Sequence, residues 1–389
     1  MKSIKLADQT IDFDELLQLT EWLKSEPILT KSKLTLDFEK SFSKFIGSEY
    51  SVFVNSGSSA NLLMIYALIN SGRLKNRVCI APSLSWITTV SPFIQFNFET
   101  HLCDCDKKNL GLDISHLDYL CKKFNPSVII LCHVLGHANH MREILSICKK
   151  YDVILLEDTC ESLGSEFMNS KLGNYGLASS FSFYYGHHIS TIEGGMIVTK
   201  DRDFYNHLIA LRSHGWIRDM DNDYKKFFTE KFSINHFKNL YTFIYPGFNL
   251  RSTDLNAFIG ILQLKKIKKI ISKREKLFYV YKNSLKNFWS QKSNTSILSS
   301  FAYATLVEDP LELFHELKNN NIESRPIICG NLSRHPFWKN KVTLPNSEVI
   351  DKYGIYLPIH HNLTSREVKK ITNIINKKSK PIFFDDLNT

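Results

Sequence analysis

The chain has 389 residues, 43% of them hydrophobic and 23% charged, an ordinary globular composition with length for two domains and a substantial core. No run of eighteen apolar residues occurs, and the opening MKSIKLADQTIDFDELL carries early acids and no apolar stretch, so neither a membrane span nor a signal peptide is expected and the reading is a cytoplasmic protein. The net charge of +10 suits nucleic acid, a membrane surface or a polyphosphate. The densest basic run, Leu264 to Lys276, has Leu264, Ile267, Ile270 and Ile271 at helical spacing and no interleaved aromatics. It reads as the solvated face of an amphipathic helix, with no nucleic-acid or membrane partner.

In chain order, helices are expected over 13–25 and 34–45, then a short strand at 51–55 opening into SGSSANLLMIYALI. Small residues at a strand end leading into a helix present backbone donors at a positive helix terminus, which suits a phosphate. Gly57 allows close approach and Ser58 and Ser59 add hydroxyls, although Ser-Gly-Ser also serves ordinary turns and N-caps. Strands at 78–81, 100–103, 127–132 and 153–157 alternate with helices at 84–96, 114–124 and 140–151, which argues for a mainly parallel sheet covered on both faces. Trp86 follows a strand in PSLSW, where tryptophan is ordinarily core. Asp158 ends VILLED, at the carboxyl end of a buried strand, where open α/β sheets place ligands; a helix N-cap is the plainer role. Glu161 comes three residues later.

After a strand at 196–199, a helix is expected over 201–213, then HGWIRD with His214 and Arg218. Residues 220–240, rich in Lys, Asp and Asn, read as a loop able to cover a site, and YPGFNLR follows at 245–251. A long helix from 252 to about 286 leads into a smaller α+β region, with a strand at 301–307, a helix at 311–319 and a strand at 323–327. That last strand carries Arg325, which has a surface ion pair as its plain role. The expected domains are 1–250 and 251–389, with a loosely ordered tail beyond Lys377. The eight cysteines lie mostly in apolar segments, and Cys103 and Cys105 have no second close pair, so neither disulfides nor a metal site are expected.

The stretch FSFYYGHHISTIEGG, Phe181 to Gly195, organises the rest. It sets His187 and His188 on a loop between two apolar strands. A histidine pair is ordinarily solvated, or hydrogen-bonded inside a core. Here no lysine occurs between Lys171 and Lys200.

This stretch resembles the active-site loop of the DegT/DnrJ/EryC1/StrS sugar aminotransferases, fold-type I pyridoxal 5′-phosphate enzymes. In that family a lysine six residues before Glu-Gly-Gly bonds to the cofactor. Six residues before Glu193 is His187. A His-His-Ile in that register resembles a lysine-lacking subgroup, the nucleotide-sugar 3-dehydratases that use pyridoxamine 5′-phosphate. The resemblance implies an aspartate aminotransferase-like fold with a seven-stranded sheet, and an N-terminal arm beside the active site that can contact a neighbouring subunit. It also implies a homodimer with shared active sites. Gly57, Ser58 and Ser182 are implied to hold the cofactor phosphate, Trp86 to stack on the ring, Asp158 to pair with its nitrogen and Glu161 to lie near its phenolic oxygen. Asn249 is implied to reach the phosphate of the other subunit. His214, Arg218 and Arg325 are implied substrate contacts; His188 is either structural or a substrate contact.

Without the lysine, the cofactor is held by these contacts alone. His187 is then the expected base and acid, since imidazole moves protons near neutral pH. The implied substrates are a GDP-linked 4-keto-6-deoxy sugar, which loses its C3 hydroxyl, and L-glutamate, which restores the amine and leaves as 2-oxoglutarate with release of ammonia. The setting is 3,6-dideoxy sugar synthesis for a surface polysaccharide. The alternatives are a 4-aminotransferase with a lysine from elsewhere, and an inactive nucleotide-sugar-binding relative.

Overall fold

The computed structural model describes residues 3–387. Helices α1 (Phe13–Leu23) and α2 (Lys33–Ile46) precede strand β1 (Tyr50–Val54) and helix α3 (Gly57–Asn70). Then come β2 (Val78–Pro82), α4 (Ile87–Gln95), β3 (Glu99–Cys103), α5 (Ile114–Phe124), β4 (Val128–Cys132), α6 (Met141–Tyr151) and β5 (Ile154–Asp158). A two-residue hairpin, β6 (Glu166–Phe167) and β7 (Ser170–Lys171), leads to β8 (Ala178–Ser182) and β9 (Gly195–Thr199). Helices α7 (Arg202–Arg212), α8 (Asn222–Lys231) and α9 (His236–Asn239) follow, then the 31-residue α10 (Asp254–Ser284). The chain ends with β10 (Tyr303–Leu306), α11 (Pro310–Asn319), α12 (Pro345–Tyr353), β11 (Gly354–Leu357) and α13 (Ser365–Lys378).

The main sheet has seven strands in the order β1-β9-β8-β5-β4-β2-β3. β9 runs antiparallel to both its neighbours, and the remaining pairings are parallel. Both faces are covered, as the continuous apolar strands require. Val128 and Ile130 of β4 face α3, α4 and α7, whereas Ile129 and Leu131 face α5 and α6. α2 and α10 cover the sheet at β1, β8 and β9, where Phe38, Phe42, Phe53, Phe181 and Phe183 form a buried aromatic group. Asp254, at the start of α10, ties α2 down: its carboxylate accepts from the backbone N–H groups of Ser32, Leu34 and Thr35 and from the Thr35 hydroxyl. The β-α units reuse one local solution. CKKFN (121–125) and CKKYD (148–152) each end a helix with two lysines at its negative terminus, followed by a left-handed cap, Asn125 or Asp152.

Three expectations are corrected. Residues 220–240 hold α8 and α9, where a loop was expected; Asn235 caps α9 through the Lys238 N–H, and Phe228 packs beside Met220 and Tyr245. Residues 323–327 form no strand: only Arg325 pairs with Tyr356, and β10 takes β11 as its partner instead. Beyond Lys377 the chain is packed as far as residue 384, with Pro381 bridging to Val307 and Phe384 buried against Trp289. Among the described residues no helix is long and apolar enough to cross a membrane.

Candidate active site

Four parallel strands deliver the candidate residues at their carboxyl ends: β1 runs into Gly57, β2 to Trp86, β5 ends on Asp158 and β8 on Ser182. The α3 terminus is a tight cradle. Ser56 caps the Ser59 N–H at 3.0 Å, and the first intrahelical bond runs from the Ala60 N–H. The Gly57 and Ser58 N–H groups therefore lie outside the helical ladder. A Cβ on Gly57 would come within 2.6 Å of the Ser182 Cβ and 3.2 Å of the Cys160 sulfur. On the other side, a Cβ on Gly195 would meet the Ser56 carbonyl at 2.2 Å. The second glycine of Glu-Gly-Gly is needed because β9 passes against this turn. The Ser58 hydroxyl, exposed, reaches Thr88 at 3.2 Å.

Asp158 is buried and its carboxylate is held by three donors. Asn61 Nδ2 (2.8 Å) and the Thr89 hydroxyl (2.7 Å) reach Oδ2, and the Cys160 N–H (3.1 Å) reaches Oδ1. Asn61 is itself oriented by the Ser180 hydroxyl at 2.6 Å. Asn61 and Thr89 escaped the sequence reading. The signal was available for Asn61, four residues beyond Gly57 and so on the same helical face. Trp86 leaves its indole 57% exposed. Glu161 accepts from the Leu135 N–H at 2.8 Å, and burial pushes its carboxyl up to about 7, with the Asp158 charge adding to the shift.

The turn between β8 and β9 is closed at its base by Phe183, whose N–H donates to Gly194 and whose carbonyl accepts from Thr191, both at 2.9 Å. On it, the His187 ring meets the Cys160 carbonyl through Nδ1 at 2.7 Å and packs 5.2 Å from the Phe301 ring. A carbonyl only accepts, so Nδ1 carries the proton and Nε2 keeps its lone pair. Burial pulls the imidazole down to about 4, against the opposing pull of the Cys160 hydrogen bond and the Asp158 charge. His187 is thus neutral at pH 7, beside the Asp158–Ser182–Gly57 group.

His188, expected either as a structural residue or as a substrate contact, lies in the core. It is fully buried, with Nε2 on the Ser299 carbonyl at 3.0 Å. Adjacent residues of a tight turn project in different directions, and this one faces inward. His214, Arg218 and Asn249 make no contact with the His187 group among the described residues. His214 and Asn249 flank Arg251 beside the end of β1, and Arg218 lies 3.9 Å over Trp216 and pairs with Asp219. Arg325 is exposed; its charge lies against the Tyr356 hydroxyl, which also faces Glu161.

A seven-stranded α/β sheet of this order, with a helix N-terminus and a buried carboxylate at the carboxyl ends of its parallel strands, defines a protein of the aminotransferase fold. The chain belongs to the DegT/DnrJ/EryC1/StrS aminotransferase family, whose pattern matches residues 9–376. It is 33% identical to the GDP-4-keto-6-deoxy-D-mannose 3-dehydratase of Yersinia pseudotuberculosis, over 97% of this chain and 99% of that one. Among solved structures, a histidine-to-asparagine variant of GDP-4-keto-6-deoxymannose-3-dehydratase with bound GDP-perosamine superimposes with a TM-score of 0.86 at 32% identity, covering 96% of this chain and all of that one. The same enzyme with a trapped PLP-glutamate geminal diamine superimposes with a TM-score of 0.85 at 31% identity, covering 95% and 99%.

The residues present fit a pyridoxal-type cofactor. The Gly57 cradle, with free N–H groups and the Ser58 and Ser182 hydroxyls, suits a phosphate. The exposed Trp86 face suits a flat ring, and the Asp158 carboxylate suits a protonated ring nitrogen.

Proposed function

We propose that the protein is a nucleotide-sugar 3-dehydratase that uses pyridoxamine 5′-phosphate to remove the C3 hydroxyl of a GDP-linked 4-keto-6-deoxy sugar. The observation that carries this reading is the His187 ring, which donates through Nδ1 to Cys160 and keeps Nε2 free, at the position where family members carry a lysine. When bound, the cofactor supplies an amine that condenses with a ketone and a ring that accepts an electron pair. The chain's residues do the rest. Gly57, Ser58 and Ser182 hold the phosphate, Trp86 covers the ring and Asp158 keeps its nitrogen protonated. Nε2 of His187 takes a proton from the carbon bearing the amine and passes it to the C3 oxygen as that leaves as water. Burial keeps the ring unprotonated at pH 7, so Nε2 can accept the proton; it is a weaker base than a free imidazole and, once charged, the stronger acid toward the leaving oxygen. With no amine on the turn, nothing tethers the cofactor covalently. L-Glutamate serves as the two-electron reductant: the sugar loses one oxygen as water, and glutamate leaves as 2-oxoglutarate and ammonia.

The same reading makes the protein a homodimer in which Asn249 serves the partner's cofactor, and divides the chain near residue 250. The test is to supply pyridoxamine 5′-phosphate, glutamate and GDP-4-keto-6-deoxymannose, with CDP- and UDP-linked analogues in parallel. The expected product is a 3-deoxy keto sugar, with ammonia released only when the sugar is present. His187→Asn should lower the rate by at least about 100-fold while still binding the cofactor. A stable amino sugar, or no turnover of any analogue, refutes the reading.

A further inference from the structure

Arg274, on α10, lies directly behind the histidine turn and is buried. Its Nη1 donates to the carbonyls of Ser300 (3.1 Å), Phe301 (3.1 Å) and Ile359 (2.8 Å), and Nη2 reaches the His187 carbonyl at 3.5 Å. No carboxylate pairs with it among the described residues. A buried cation without a counter-charge is costly, and a position that needed only filling would carry leucine or methionine.

What the guanidinium gains is reach. Its planar fork spans three separate segments: the turn at 187, the stretch 299–301 and the residue two beyond β11. The stretch 299–301 is the backing of the histidine ring. Phe301 packs 5.2 Å from His187, and Ser299 holds His188 at 3.0 Å. Arg274 therefore fixes the surface the His187 ring rests on and approaches the backbone of His187 itself.

The charges around the two groups are these. His187 is faced by Asp158 and the Cys160 carbonyl from the end of β5, by His188 on its own turn and by Arg274 from α10. Arg274 also faces His360 and His361, which Asp8 approaches from the N-terminal segment, with Glu367 near His360 and Lys266 near His361. Burial lowers the guanidinium to about 9, which leaves it a cation at neutral pH.

We propose that Arg274 is a positioning residue for His187: it holds the Phe301 backing of the ring, reaches the backbone of the turn and sets its positive charge beside the imidazole. This rests on the reading of His187 as the group that moves the proton.

The test follows the His187 ring by NMR in 13C-histidine-labelled, cofactor-free protein, with His187→Asn identifying its signal. In Arg274→Met the titration should move up by about half a pH unit or more, because a neighbouring positive charge is gone. Arg274→Lys keeps the charge and loses the fork. It should leave the titration near its original place while kcat for dehydration falls about tenfold at unchanged KM. An unmoved titration in folded Arg274→Met overturns the proposal, as does Arg274→Lys with full kcat. Failure of both variants to fold also overturns it, since Arg274 would then be a core residue only. If His187→Asn left dehydration intact, the catalytic reading would fail while the titration shift still reported the charge coupling.

Discussion

Gly57→Ala separates the stability of the fold from the capacity of the site. Gly57 is the first residue of α3 and does not adopt a positive φ, so alanine costs no backbone strain and gains about 0.5–1 kcal/mol of helix stability over glycine. Against this, its Cβ would sit 2.6 Å from the Ser182 Cβ and 3.0 Å from the Ser182 hydroxyl. Carbon atoms rest about 3.5–4.0 Å apart, so one wall must retreat by about 1 Å. Ser182 is held by its pairing with Gly195, and Gly195 already presses on the Ser56 carbonyl. Overpacking of this kind costs about 1–3 kcal/mol, so the net loss of stability should be only about 0–2.5 kcal/mol. Cofactor binding should suffer more, because the displaced groups are the Ser182 hydroxyl and the α3 N–H donors. Losing one or two charge-assisted hydrogen bonds at about 1.5–3 kcal/mol each predicts affinity weakened by about 10- to 20,000-fold. The assay is titration of pyridoxamine 5′-phosphate by quenching of tryptophan fluorescence, beside urea unfolding of the apoprotein. Gly47→Ala is the mirror-image control, since Gly47 has φ +85 and open space around it: stability should fall by about 1 kcal/mol with affinity unchanged. A Gly57→Ala protein that binds the cofactor as tightly as the parent refutes the cradle.

Asp254→Ala removes four hydrogen bonds at the start of α2 and should cost about 2–4 kcal/mol in urea unfolding; a loss under 1 kcal/mol would show that packing alone holds α2. Burial lowers His137 to about 3, His187 and His360 to about 4, and His116, His188 and His361 below the ordinary value. Between about pH 6.5 and 4 the unfolded chain then takes up protons that the folded one refuses, so stability falls with pH at up to about 1.4 kcal/mol per unit for each histidine. Glu161 runs the other way. Its folded value of about 7 lies above the ordinary 4.5, so it contributes stability below that range, which is lost as pH rises through it and offsets about one histidine's share. A urea midpoint that stays level from pH 6.5 to 4.5 would contradict this balance. Glu161→Gln should raise stability above pH 7 by about 1–3 kcal/mol and erase any limb near pH 7 in kcat/KM; an unchanged limb would assign that titration to another group.

The residues proposed for the ligand edge were named from two sources: a small-residue turn opening a helix drew attention to Gly57 and a strand end to Asp158, whereas the roles of Trp86 and His187 came from the family resemblance. Where the reading failed, the signal was not local. Residues 323–327 look like a strand, yet β10 satisfies its edge with β11 and leaves Arg325 a single bridge. Residues 220–240 are polar enough to pass for a loop, yet Asn235 caps a short helix there and Phe228 finds cover beside Met220 and Tyr245.

The sequence by itself determined the alternation of strands and helices, the small residues where β1 opens into α3 and the absence of an amine on the histidine turn, since spacing and composition suffice for each. Only the tertiary structure decided that His187 faces the site while His188 is buried, that Nδ1 rather than Nε2 holds the proton, and that Arg274 sits behind both. Those outcomes depend on the carbonyls of Cys160, Ser299, Ser300, Phe301 and Ile359. These are backbone groups that every residue possesses, and only folding brings them to one place.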